Sequence, residues 1–331
     1  MDDALLVVVV AVALGFDFTN GFHDTANAVA TSISTRAMTP RVAVSVAAAA
    51  NLAGAFVTTA VAKTVGKGII DTGLATETTV LAALLGAIAW NLLTWWFGLP
   101  SSSSHALIGG LIGAALAQSG GAGVEWHGVA HKVAIPSLIS PATGFVGAFL
   151  LLLAAYWILR TITPGVANRG FRLGQLASGT WFAFTHGAND AQKTMGVIAL
   201  ALFESGHLSH FYIPTWVIVS AGVSIALGTY VGGWRIIRTI GQRMYSMQPE
   251  HGFAAQVAGG SVLYVASHFG YPISTTHVAA GSVMGAGATK RLSAVRWGVA
   301  GNIVAAWVMT FPGAAAIAIV VSFLVRPLFG Q

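Results

Sequence analysis

The sequence predicts an all-α polytopic membrane protein, and three observations carry that expectation. Hydrophobic residues make up 55% of the 331 positions and charged residues 8%, and mean hydropathy is +0.75, a balance found in helical bilayer proteins and not in globular ones. Apolar stretches of spanning length recur at 4–16, 42–62, 79–97, 143–159, 213–234, 252–267 and 297–325, and in hydrocarbon such stretches must be helical because each backbone polar group has to find its partner within the segment. Between them lie shorter Gly-rich pieces, with no stretch left over for a soluble domain.

Taken in order, the first segment opens with MDDALLVVVVAVALG. It has two acids and no Lys or Arg ahead of its apolar run, so it reads as a membrane helix and not as a cleaved signal peptide. Cysteine is absent, which excludes disulfides and thiolate metal sites. The net charge of +6 sits in short loops and forms no continuous stripe, so it speaks for topology and against a nucleic-acid partner.

Those loops give an orientation. Arg36 with Arg41, then Arg160, Arg169 and Arg172, then Arg235, Arg238 and Arg243, then Lys290, Arg291 and Arg296 form basic clusters that belong on the cytoplasmic side. The acidic start, the 68–78 loop with Asp71 and Glu77, the 119–131 loop with Glu125 and the 204–212 loop with Glu204 then fall outside. Threading the chain through these assignments takes about five crossings in each half, roughly 10–12 membrane segments in all. Arg326 is the basic residue that does not fit.

The odd number per half matters because the sequence repeats itself. FDFTNGFHD at 16–24 aligns without gaps on FAFTHGAND at 182–190, and GLPSSSSHALIGGLIGA at 98–114 on GYPISTTHVAAGSVMGA at 270–286. Two dissimilar motifs, each present twice in the same order at offsets of 166 and 172 residues, imply an inverted-topology repeat with a site at the pseudo-two-fold interface. The expected divisions are a first repeat over 1–162, a cytoplasmic linker over 163–172 and a second repeat over 173–331.

The first motif places Asp24 and Asp190 beside Gly21 and Gly187. Gly in a membrane segment suggests an interrupted helix there, with backbone groups freed to line a cavity. A carboxylate at membrane depth costs several kcal/mol unless a cation, a proton or a polar partner compensates it. A structural Asp hydrogen-bonded to Thr25, Asn27 or Asn189 is the plainer alternative; duplication favours a shared coordination site.

The second motif puts Pro, then hydroxyls, then His105 or His277 at the start of a Gly-rich helix. That is a helix N-terminus with free N–H groups and the positive dipole end, suited to a tetrahedral oxyanion. Ordinary capping needs one hydroxyl per helix; runs of four and three exceed it. For the histidines, a hydrogen bond to a backbone carbonyl and a substrate contact stay equally open. Ser/His hydrolase chemistry is disfavoured, because the arrangement is duplicated and lacks an orienting carboxylate and a nucleophile elbow.

The duplicated G-x-[NH]-D and P-x-S-x-[ST]-H motifs resemble the two signatures of the PiT-type inorganic phosphate transporter family, and NGFHDTANAVATSISTRAMTP is especially similar to its bacterial low-affinity permeases. The resemblance runs through essentially the whole chain. It implies phosphate–cation symport across the cytoplasmic membrane by an inverted-repeat fold with re-entrant hairpins, commonly as a homodimer in lipid, and no enzymatic cofactor. By position, Asp24 and Asp190 would be the central carboxylates, and Ser102, Ser103 and Ser104 with Ser274, Thr275 and Thr276 would line the phosphate pocket.

Two departures bear on the coupling ion. Sodium-coupled members resemble GANDVAN in both halves, whereas this chain has His23 before Asp24 and, in the position matching Asn27, Lys193; Asn189 is retained before Asp190. Sodium prefers hard oxygen ligands, which an amide offers and an imidazole does not, while a histidine beside a carboxylate exchanges protons near neutral pH. Lys193, three residues after Asp190, shares its helix face if the helix continues and would neutralise it. Proton coupling is therefore favoured over sodium, with no metal site among the residues singled out. The expected cargo is inorganic phosphate, alone or as a neutral complex with a divalent metal. A sulfate permease is the alternative on the same scaffold, and a passive anion channel the alternative of another class, although a channel has no need of paired intramembrane acids.

Overall fold

The computed structural model describes residues 3–329, without the side chains of Gln242 and Arg243; the outermost residues of both expected repeats and the Arg243 side chain lie outside that description. The first half runs through α1 (Asp3–Ser34), α2 (Pro40–Gly54), α3 (Ala60–Lys67), α4 (Glu77–Phe97), α5 (Ser103–Ser119) and α6 (Trp126–Gly128), which continues through a π-helical stretch into α7 (Ile135–Ile158). The second runs through α8 (Pro164–Glu204), α9 (Thr215–Val231), α10 (Trp234–Arg238), α11 (Pro249–His268), α12 (Thr275–Ala288) and α13 (Trp297–Val325). Residues expected as a linker, 163–172, form the N-cap and first turns of α8.

Element by element the second half repeats the first, and the packing follows the repeat. α5 lies along α13 while α12 lies along α7; α1 packs on α9 while α8 packs on α2 and α3. Each half thus lends its last helix to the other half's hairpin, and the two cannot separate as independent domains.

The connections show which ends share a side. The 68–78 and 119–131 loops meet, with the Asp71 amide donating to the Gly123 carbonyl at 3.1 Å and the Glu125 amide to Ile69 at 3.0 Å, so α4 and α5 return to the side they started from. α11 and α12 do the same at the opposite end, where the Arg296 amide donates to the Met244 carbonyl at 3.2 Å. The expected five crossings per half are therefore three crossings plus one hairpin, which still leaves an odd number.

Five helical stretches are individually long and apolar enough to cross a membrane, and a sixth is formed by α9 and the α10 segment across a 58° bend. α8 and α11 do not stand out this way because of the polar residues they carry inward, and α12, at 14 residues, is too short to cross alone. Outward faces are apolar, as at Leu138 and Trp157 on α7 and Phe323 on α13, all exposed.

The helix interruption expected at the first motif does not occur. α1 and α8 run unbroken through Asp24 and Asp190. Gly21 and Gly187 serve close approach instead: a Cβ at Gly21 would strike the backbone of Ile225 and Gly228, and one at Gly187 that of Asn51. The breaks fall elsewhere, between α2 and α3, between α9 and α10, and at the hairpin tips.

Candidate functional site

Both tips are built by the same backbone device. Gly98 and Gly270, equivalent in the repeat, take left-handed conformations with φ of 65° and 74°, which only glycine adopts without steric cost. The following amides fold back alike, Leu99 onto Thr94 and Tyr271 onto Ala266 at 2.9 and 2.8 Å, and Ser101 onto Leu99 and Ile273 onto Tyr271 at 2.8 Å each. Ser102 and Ser274 then cap α5 and α12, accepting from the amides of His105 and His277 at 3.1 and 3.2 Å.

One hydroxyl of each run is spent on capping, and the next two point into the protein. Ser103 Oγ donates to Asp24 Oδ1 at 3.1 Å, and its counterpart Thr275 Oγ1 to Asp190 Oδ1 at 3.0 Å. Ser104 and Thr276 reach across the two-fold: Asn27 Nδ2 donates to Thr276 Oγ1 at 2.9 Å, and Lys193, in the position matching Asn27, donates to Ser104 Oγ. Carboxylates, hairpin hydroxyls and cross-half donors thus form one buried cluster, with the positive ends of α5 and α12 directed at it.

The charges differ between halves. His23 Nδ1 lies 2.7 Å from Asp24 Oδ1, and its Nε2 is held by Thr94 Oγ1 at 3.1 Å and Ser101 Oγ at 3.3 Å. In the second half Lys193 Nζ is 2.5 Å from Asp190 Oδ1 and donates to the Ile273 carbonyl at 3.0 Å, while His186 Nε2 stands 3.4 Å from Asp190 Oδ2. Asn189, expected beside the coupling site, turns away to Ser267 Oγ at 3.0 Å and the Tyr271 carbonyl at 3.2 Å. Asp24 Oδ2, Asn27 Oδ1 and Asn189 Oδ1 have no hydrogen-bond partner. Asp24, His186 and Asp190 bring ligand-type atoms within 4.8 Å of one another, but an ammonium already stands against that oxygen set.

His105 and His277 lie on the far side of the tips. Their rings meet edge to face at 4.5 Å, His105 Nε2 bonds Ser137 Oγ at 2.8 Å, and Phe311 and Trp307 stack on them. His105 thus has a hydroxyl partner, while His277 makes the backbone hydrogen bond considered from sequence, to Ser137. Sequence reasoning missed Thr94, Ser101 and His186: the first sits one turn before Gly98, and its polarity in an apolar helix was the available signal.

Two interlocked inverted halves, with opposed hairpins whose tips deliver hydroxyls to buried carboxylates, define a multi-pass membrane transporter and not an enzyme. The sequence matches the phosphate transporter family over residues 20–169 and again over 163–318, one match for each half. Described as probable low-affinity inorganic phosphate transporters are proteins of Mycobacterium bovis, 52% identical over 93% of this chain and 74% of that one, of Rhizobium meliloti, 50% identical over 95% and 94%, and of Bacillus subtilis, 42% identical over 98% of each. A solved structure titled the sodium-dependent phosphate transporter superposes with a TM-score of 0.90 over 98% of this chain and 99% of that one at 23% identity. The chain belongs to the phosphate transporter family and is a multi-pass protein of the cell membrane.

Proposed function

We propose that the protein imports phosphate together with protons, and that the hairpin hydroxyls are what couple the two. The observation that carries this reading is the doubled bond pattern in which Ser103 and Thr275 donate to Asp24 and Asp190. A phosphate held between the tips would draw the hydroxyls of Ser103, Ser104, Thr275 and Thr276 to its own oxygens, and each carboxylate would lose a donor that stabilises its ionised form. A carboxylate stripped of donors at membrane depth takes up a proton. Phosphate binding and proton binding thereby favour one another.

His23 makes Asp24 the exchangeable half of the pair. Its Nδ1 contact lets the imidazole and the carboxyl share one proton, with Thr94 and Ser101 holding the ring in place. Lys193 makes Asp190 the fixed half, since a tethered ammonium fills the role a transported cation would have. Phosphate is favoured over sulfate because hydrogen phosphate keeps an O–H that it can donate to a carboxyl oxygen of Asp24, whereas sulfate only accepts. A neutral divalent metal–phosphate complex suits the same cluster, since it lowers the charge to be buried. The orientation, basic loops inside and acidic loops outside, and the contact of the apolar outer faces with lipid belong to the same reading.

The test is counterflow and net uptake of labelled phosphate and sulfate in proteoliposomes under imposed pH or sodium gradients. Acid outside should drive phosphate accumulation without sodium, and sulfate should compete poorly. Uptake driven by a sodium gradient and indifferent to pH would overturn the proton assignment.

A further inference from the structure

A third carboxylate stands near this cluster and takes no part in it. Asp17 lies seven residues before Asp24 on α1, about 10 Å along the axis and on nearly the same face. It is fully buried. Neither carboxylate oxygen makes a hydrogen bond of full geometry; the Thr194 hydroxyl on α8 and the Asn20 side chain on α1 are the polar groups close enough to interact with it. The charged groups facing it are Asp190 and Lys193, both on α8. Lys193 already directs its ammonium to Asp190, Ser104 and the Ile273 carbonyl, so its donors are committed elsewhere.

A fully buried carboxylate therefore has only the Thr194 hydroxyl and the Asn20 amide near it, neither in full hydrogen-bond geometry. Burying acceptors in this way is costly unless something positive joins them. A metal ion would need further oxygens, which transporters commonly supply from unwound backbone, and α1 and α8 are continuous here, their carbonyls engaged within the helices. One proton suffices. A protonated Asp17 carries no charge to compensate, its O–H can donate to the Thr194 oxygen, and its other oxygen can accept from the Asn20 amide.

We propose that Asp17, set between Asn20 and Thr194, is a further proton-binding site of the transport cycle, carrying a proton in addition to the one exchanged at His23 and Asp24. The O–H bond forms with a proton from water on the uptake side and breaks by return of that proton to water on the release side. The position equivalent to Asp17 in the second half is Ala183, so the site exists once and makes a nearly symmetric machine asymmetric. The proposal rests on the proton-symport reading.

The experiment is phosphate accumulation and proton-to-phosphate stoichiometry in proteoliposomes, with the membrane potential clamped and one pH unit imposed. Each coupled proton then multiplies accumulation about tenfold. Asp17→Asn, which keeps the shape of the protonated acid, should still exchange labelled phosphate but should accumulate about tenfold less, with one proton fewer per phosphate. Unchanged stoichiometry in Asp17→Asn would overturn the proposal, as would sodium dependence in the wild type that vanishes in Asp17→Asn. Should Asp17→Asn not fold, Thr194→Val decides: it removes the one hydroxyl available to ionised Asp17, so the pH profile of accumulation should move alkaline by about one unit. An unmoved profile in a folded Thr194→Val protein counts equally against it. Wild-type protein that fails to respond to a pH gradient would instead sink the symport reading itself.

Discussion

Asp24 and Asp190 hang from equivalent points of the two halves, and each accepts a hydroxyl from its own hairpin at 3.1 and 3.0 Å; what stands beside them differs in kind. Asp24 has the His23 imidazole, its Nδ1 2.7 Å away, which in the proposed cycle shares an exchangeable proton with it. Asp190 has an ammonium 2.5 Å away that does not leave. The scaffold is duplicated and the counter-charge is not. A transporter that must bind and release a cation in each cycle gains from having one exchangeable position and one fixed one: the net charge to be moved falls, while the anion still meets donors from both sides.

Removing the fixed charge should have the largest effect. Lys193→Met leaves Asp190 buried without its partner and should abolish uptake while costing about 3–5 kcal/mol of stability, read as a fall in the melting temperature of the purified protein. Adding Asp190→Asn to Lys193→Met should recover part of that stability, because the orphaned carboxylate goes with it; a double variant less stable than Lys193→Met alone would mean that the pair is not the stabilising contact.

Next in size, Asp24→Asn should abolish proton-driven accumulation in a folded, membrane-inserted protein, and Asp190→Asn should do so too while also lowering stability. Wild-type accumulation in either would reduce that carboxylate to a structural role. Removing a cross-half hydroxyl is milder. Ser104→Ala and Thr276→Ala should each weaken phosphate binding about tenfold to a hundredfold, and by similar factors because their places are equivalent; normal affinity in both would remove the hairpin tips from the phosphate site. The smallest effect belongs to the caps: Ser102→Ala and Ser274→Ala should cost about 1 kcal/mol of stability and leave the ratio of proton to phosphate unchanged.

The two-fold was legible in the sequence because duplicated motifs survive as strings, and Gly98-Leu-Pro and Gly270-Tyr-Pro marked both tips. The pairing of Lys193 with Asp190 was legible too, since three residues apart on a helix is a local relation. Gly21 and Gly187 misled for a physical reason. A glycine in an apolar segment permits either a broken helix or a close helix crossing, and only the neighbour, Ile225 in one case and Asn51 in the other, decides between them. Nor does a string reveal contacts such as His23 with Thr94 or Asp17 with Thr194, which depend on how distant helices pack. Asp17 carries no repeat partner to draw attention to it.

The most direct measurement is the initial rate of phosphate uptake against external pH, with and without sodium, in wild type and His23→Asn. Wild-type uptake should rise as the outside is acidified and ignore sodium, and His23→Asn should lose most of that rise because the amide cannot titrate. Uptake that is stimulated by sodium, independent of pH and unchanged by His23→Asn would contradict the account.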